Sequence, residues 1–296
     1  MAPDPTRVLA RHFALEVAGR QDGFVQQVSG GGAHTDVVEN AGANLLHRIG
    51  TVKYNDIVLT VGAGASGNLY QWIAETVDGK GRIADGAVQF CDAGYKVLSR
   101  LDWYGGIISA INFPALDATS KDRAAMTVKI ATERTAISKE STDKVTAIDT
   151  PRPWMANGFR LQIEGLESAC RKVSRIETLT LIQSISRGET GSGRKAVIGS
   201  VTKRTLGDLV VTLPQHAAQP FYDWHDLTRE HSRFEEKEKN GQLTYLGSNQ
   251  KSEYFTLTFT KLGMKSITIA RSGADTGYSP VTVEMYVESI QFEWAR

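Results

Sequence analysis

The residues with the clearest chemical potential are three glycines. Gly62, Gly64 and Gly67 form a GxGxxG pattern between an alternating apolar run, Ile57, Leu59 and Val61, and a stretch with helical spacing, Leu69, Trp72 and Ile73. A strand, a Gly-rich loop and a helix N-terminus can together seat a pyrophosphate on backbone amides. A nucleotide-binding enzyme is therefore the chemical reading to test. No second parallel strand ending in an acidic residue follows about 20 residues on, where a ribose contact is expected. The corresponding loop further along, Pro214 to Pro220, has no glycine, and no lysine follows the glycines to make a P-loop. Gly67 is read more simply as a permissive residue at the entry to a short helix.

The other reactive residue types form no pattern. His216, His225 and His231 lie near Asp223, Asp226 and Glu230, but without an HExxH motif or a zinc-ligand spacing. Ser29 precedes three glycines in a turn, not a nucleophile elbow. Cys91 and Cys170 are far apart and lack CxxC partners, so neither a disulfide framework nor a zinc site is expected. They read as buried free thiols. No cofactor, no metal and no catalytic residue is assigned.

The elements that would position such residues are more informative. The chain has 296 residues, enough for two ordinary domains, and a net charge of +1 that signals neither nucleic acid nor an anionic membrane. No apolar run reaches the roughly 20 residues of a membrane span, and the N-terminal stretch lacks the apolar core of a secretory signal.

Internal similarity divides the chain. Phe13 to Gly19 and Phe159 to Gly165 are both alternating strands that end at glycine. Ile57, Leu59 and Val61 match Leu209, Val211 and Leu213, each followed by a helical stretch: Leu69, Trp72 and Ile73 in the first, Phe221, Trp224 and Leu227 in the second. Trp72 and Trp224 are 152 positions apart, as are Ile57 and Leu209. These six helix residues are expected to form the helix–sheet core. A third match pairs Phe90 to Lys96 with Phe259 to Lys265, each read as a hairpin with glycine at the turn. Each half closes on an alternating run, Met126 to Ile130 and Val281 to Val287.

The expected fold is mainly β: two tandem antiparallel barrel or sandwich domains, each with one short helix. Domain 1 covers 1–145, a linker 146–153 holds Pro151 and Pro153, and domain 2 covers 154–296 with a charged insert near 229–242. Charges sum to about −2 over 1–150 and about +3 over the rest, mildly complementary between neighbours.

The first half resembles the tail-tube proteins of contractile phages and related injection systems, which also resemble the haemolysin-coregulated tube protein of type VI secretion. The resemblance spans most of residues 10 to 137. It is carried by Phe13 to Gly19, Gly23 to Gly30, Lys53-Tyr54 through Thr60, Leu69 to Trp72, the Asp92-Ala-Gly94 hairpin, and Asn112 to Ser120. The second half departs from it, with Arg204-Thr205 in place of Lys-Tyr, no Asp-Ala-Gly hairpin, and the charged insert.

The resemblance implies a structural subunit of an inner tube, or of an initiating or adaptor ring near a baseplate. Its partners would be other copies of itself, three two-domain chains or six to a ring, with adjoining tube rings, sheath, hub, spike or baseplate proteins, and luminal DNA or protein cargo. Such a particle would assemble in the bacterial cytoplasm and act in a virion or outside the cell. Long hairpins carrying Glu39, Lys53 and Tyr54, and Arg187, Arg194 and Lys203, are candidate assembly loops. The alternatives are the nucleotide-binding enzyme and a secreted carrier of the same fold.

Overall fold

The computed structural model describes residues 10–40, 46–62, 67–139, 144–146, 154–189, 196–229, 237–269 and 280–294. Most of the expected linker, Arg194, His231, residues 63–66 of the glycine loop and residues 230–236 of the charged insert lie outside these.

The first half runs β1 (His12–Val17), β2 (Arg20–Val25), β3 (Gln27–Ser29), β4 (Ala33–Asn40), β5 (Leu46–Tyr54), β6 (Ile57–Val61), α1 (Gly67–Val77), β7 (Ala84–Cys91), β8 (Val97–Phe113), β9 (Leu116–Asp117), β10 (Met126–Ala131) and β11 (Arg134–Lys139). The second runs β12 (Phe159–Ile163), α2 (Glu167–Cys170), β13 (Arg175–Ile176), β14 (Leu179–Glu189), β15 (Ala196–Leu206), β16 (Leu209–Pro214), α3 (Gln219–Arg229), β17 (Lys239–Leu246), β18 (Glu253–Ile269) and β19 (Pro280–Trp294). The protein is mainly β. The expectation of a single helix in each half is corrected: the second also carries α2 and a 3-10 turn at Gln215–Ala217. The charged insert is shorter than expected, because β17 already begins at Lys239.

Alternation puts one face of each strand inward. In β6, Ile57, Leu59 and Val61 are buried while Val58 and Thr60 are half-buried. In β16, Leu209, Val211 and Leu213 repeat this. Gly19 and Gly165 close the turns after β1 and β12 with φ of +74° and +73°, a region that favours glycine.

Both halves build the same path. One sheet contains the order β1-β7-β8-β10-β6, the other β12-β17-β18-β19-β16, all antiparallel. The agreement extends to register. Phe13 faces Phe90 and Phe90 faces Ser99; Phe159 faces Tyr245 and Tyr245 faces Phe255. The irregularities recur too: between Ala84 and Gly86 and again between Lys239 and Gly241, and beside Ile130 and again beside Met264. β19 takes the place of β10 and β11 together, so Ile130 corresponds to Met285 and Ile137 to Phe292.

These registers correct the third sequence match. Phe90 corresponds to Tyr245, and Phe259 to Lys265 lie inside β18 and not at a turn. The true turns are held by side chains. Asp92 Oδ1 accepts from the amides of Gly94 at 2.8 Å and Lys96 at 3.0 Å. Asn249 Oδ1 accepts from those of Lys251 at 3.0 Å and Ser252 at 2.9 Å. The same local chemistry, an Asx turn, is written with different letters.

The halves do not keep separate cores. β14 of the second half adds to β8 of the first, Leu179 opposite Phe113. β9 of the first half adds to β13 of the second, Leu116 opposite Ile176. One apolar cluster runs through both, with Phe113 against Phe255 and Phe292 at 6.3 and 6.1 Å between ring centroids. Cys91 and Cys170 are free and buried, and burial raises the Cys170 thiol to about 11.

Candidate assembly surface

Gly67 opens α1, and the free amides of the first helical turn, where an anion would sit, are already taken. Asp22, fully buried on β2, accepts from the amides of Asn68 at 3.1 Å and Leu69 at 2.6 Å. A carboxylate there satisfies the free amides of the first helical turn and suits the positive end of the helix dipole. It would also repel a pyrophosphate. Among the described residues no group of three or more His, Cys, Asp or Glu can hold a metal ion, and no helix is long and apolar enough to cross a membrane.

Of the six helix residues expected in the core, Leu69, Trp72, Ile73, Phe221 and Trp224 are buried. The two tryptophans are anchored alike: Trp72 Nε1 donates to the carbonyl of Arg82 at 3.0 Å, Trp224 Nε1 to that of Lys237 at 2.7 Å. Leu227 is the exception and is 54% exposed. It stands where α1 has Glu75, a rim position whose carboxylate pairs with Arg82 at 3.2 Å. The helical spacing from Trp224 overestimated how far the buried face extends.

The candidate assembly residues fall on two hairpins. Lys53 and Tyr54 lie on β5 opposite His34 and Ala33, and Glu39 lies on β4 opposite His47. This hairpin forms a two-stranded sheet of its own. Arg187 and Lys203 lie on the β14–β15 hairpin, which is docked on the chain's own first half. Arg187 pairs with Asp56 at 2.9 Å, Gln183 Nε2 donates to the carbonyl of Ile108 at 2.8 Å, and the amide of Ile198 donates to Glu133 at 3.0 Å. Arg204 donates to the carbonyls of Thr76 and Val77, meeting the negative end of α1. The described part of the β14–β15 hairpin is therefore engaged within the chain, while its tip, residues 190–195 with Arg194, lies outside the described residues.

Helix α1 leans the same way. Tyr70 packs on Phe292 and Trp294 of β19, with centroids 5.8 and 6.3 Å apart, and burial raises its phenol above the usual range. On the surface, several large apolar side chains are uncovered, foremost Ile137 at 74%, with Ile269 at 52%. Sequence reasoning missed both. Alternation marks them as facing one way along a strand but carries no information on what covers that face.

Residues 9–136 match the family model of the T4-like virus tail tube protein gp19. Similar solved structures come from contractile injection particles. A chain of the sheath–tube complex of an extracellular contractile injection system, PVC, in the extended state is 19% identical, with a TM-score of 0.41, over 46% of this chain and 93% of that one. A chain of the anti-feeding prophage tube-terminating cap is 21% identical, with a TM-score of 0.39, over 47% and 93%. A chain of the PVC sheath/tube terminator is 20% identical, with a TM-score of 0.39, over 47% and 98%. No curated protein matches the chain. The family match covers residues 9–136, a little under half of the chain, and supports for that segment a phage-like contractile tail tube family, a family of structural proteins.

Proposed function

We propose that the chain carries two tandem copies of the tail-tube unit, residues 1–145 and 154–296, and that its copies close into rings that stack as a conduit. The observation that carries this is the strand path and register common to the two halves, bulges included. Convergence on one topology is common. Convergence on the same partner at each strand position, with the same irregularities, is what descent from one unit produces.

A unit with exposed strand edges and different surfaces on its two sides makes heterologous contacts, and these close into a ring when the rotation permits. Three chains would then fill the places of six single units. The fusion makes alternate positions distinct, which favours a specialised layer, an adaptor or initiating ring next to a baseplate, over the repeating tube. Tube, sheath, hub and baseplate proteins are its natural neighbours, DNA or protein its cargo, and a virion or extracellular injection particle assembled in the bacterial cytoplasm its setting.

Electron microscopy of the purified, concentrated protein tests this. Rings or short stacks are expected. Dispersed monomers at every concentration would overturn the reading and return the chain to a carrier of the same fold.

A further inference from the structure

The junction inside the chain is one-sided. The first half offers the outer edge of β8, Ala110 to Phe113, and the face of α1 with Tyr70; the second offers β14 and Phe292 on β19. The contact covers Ile111, Phe113 and Phe292, all of them buried.

Each half also carries the opposite surface, uncovered. By the shared register, Ser266 to Ile269 on β18 correspond to Ala110 to Phe113. Beyond Leu262, β18 pairs only with β19 among the described residues, so its other edge is open there. Ile269, in the place of the fully buried Phe113, is 52% exposed. On the first half, Ile137 holds the place of Phe292 and is 74% exposed.

The hairpins correspond as well. The amide of Asn55 donates to the carbonyl of Gly32 at 2.8 Å, as that of Gly207 donates to Thr180 at 2.8 Å, which sets β4–β5 in the position of β14–β15. The latter is docked on β8, whereas β4–β5 pairs with neither large sheet. The Thr135 hydroxyl donates to the carbonyl of Gly31 at 2.7 Å, tying the base of this hairpin to the strand that bears Ile137.

Resting on the ring reading above, we propose that the open edge of β18, Ser266 to Ile269, receives the β4–β5 hairpin of a second copy of this chain, whose Ile137 then packs on Ile269. The occupant is a second copy because the chain itself supplies both complementary surfaces and already joins their counterparts once. Repeating that internal operation joins the second half of one chain to the first half of the next. In the register of the internal junction, Ala33 and His34 of the incoming strand fall opposite Ile267 and Ser266. Backbone pairing at an open edge gives a continuous ladder, and covering two exposed isoleucines adds the apolar gain. Tyr222 on α3, in the place of Tyr70, has a buried hydroxyl with no hydrogen-bond partner among the described residues and lies on the helix that would face the incoming Ile137.

The test mixes full-length Ile137→Cys with full-length Ile269→Cys and treats the mixture with a short bis-maleimide, with particles followed by electron microscopy. The native thiols are buried and serve as background. A covalent dimer is expected from the mixture and not from either variant alone, and the double variant should give a ladder ending in a closed species. Because both sites are exposed, Ile137→Asp and Ile269→Asp should keep the wild-type Tm and lose the rings. Rings of unchanged chain without the cross-link, or rings surviving both Asp variants, would overturn the proposed junction and leave the ring reading standing. Absence of rings from the wild-type protein removes both.

Discussion

Phe113→Ala is expected to destabilise the whole chain by about 3–5 kcal/mol, in one transition. Phe113 ends the last strand segment of the first half's β8 and is fully buried, but the aromatic rings around it, Phe255 and Phe292, belong to the second half. Truncating it removes transfer energy and opens a cavity at the junction. β14 pairs along the same segment, so the loss is felt on both sides. Urea unfolding followed by circular dichroism and tryptophan fluorescence reads this directly. Trp72 and Trp103 report the first half, and Trp154, Trp224 and Trp294 the second. A single shifted transition is expected by every probe. Two transitions, one unshifted, would mean that the halves fold independently.

Gly86→Ala should cost more than Gly241→Ala, although the two glycines hold the same position in the two halves. A Cβ on Gly86 would stand 2.5 Å from the carbonyl oxygen of Glu16 and 2.7 Å from Cε2 of Trp103. The carbonyl belongs to the adjoining strand, and the indole is fully buried with its Nε1 donating to the carbonyl of Ala84 at 3.1 Å. Neither can retreat. On Gly241 the nearest atoms would be the Gln162 carbonyl at 2.8 Å and Cδ1 of Leu262 at 3.1 Å, the second a movable methyl. Overpacking costs about 1–3 kcal/mol, occasionally more. The first substitution belongs at or above the top of that range and the second lower within it, because its carbonyl contact is looser by 0.3 Å and no buried indole stands in the way. Calorimetric Tm values for the two variants check the order, and an equal or reversed order would refute the steric account.

Features governed by local pattern were legible in the sequence. The strands from Phe13 and Phe159, the strands from Ile57 and Leu209, and the burial of Trp72 and Trp224 follow from alternation and helical spacing. Features that depend on which chemistry makes a turn were not. Asp92 and Asn249 perform one task with different residues, so matching Phe90 to Phe259 by a shared Phe and Gly placed the second hairpin inside a strand. The register irregularity opposite Gly86 and Gly241 in the long strand was hidden for a related reason. Gly105 at φ +60° signals it in β8, but its counterpart in β18 is Lys261 at φ +55°, a residue that gives no such warning. Leu227 was misplaced because spacing along a helix says nothing about where the sheet beneath it ends.

The surface proposed for assembly left no motif. Ile137 and Ile269 are ordinary strand residues, and only their exposure beside buried counterparts sets them apart. The first half matches the family model over residues 9–136, and the second follows the same strand path without that pattern.

The central claim is that one chain occupies two like positions. A cryo-electron microscopy reconstruction of the assembled particle, computed without imposed symmetry, tests it most directly. The account predicts a ring of like lobes in which residues 12–139 and 159–294 alternate, so that the true symmetry is half the number of lobes. A ring lined by the first halves alone, with every second half displaced to the outside, would contradict it.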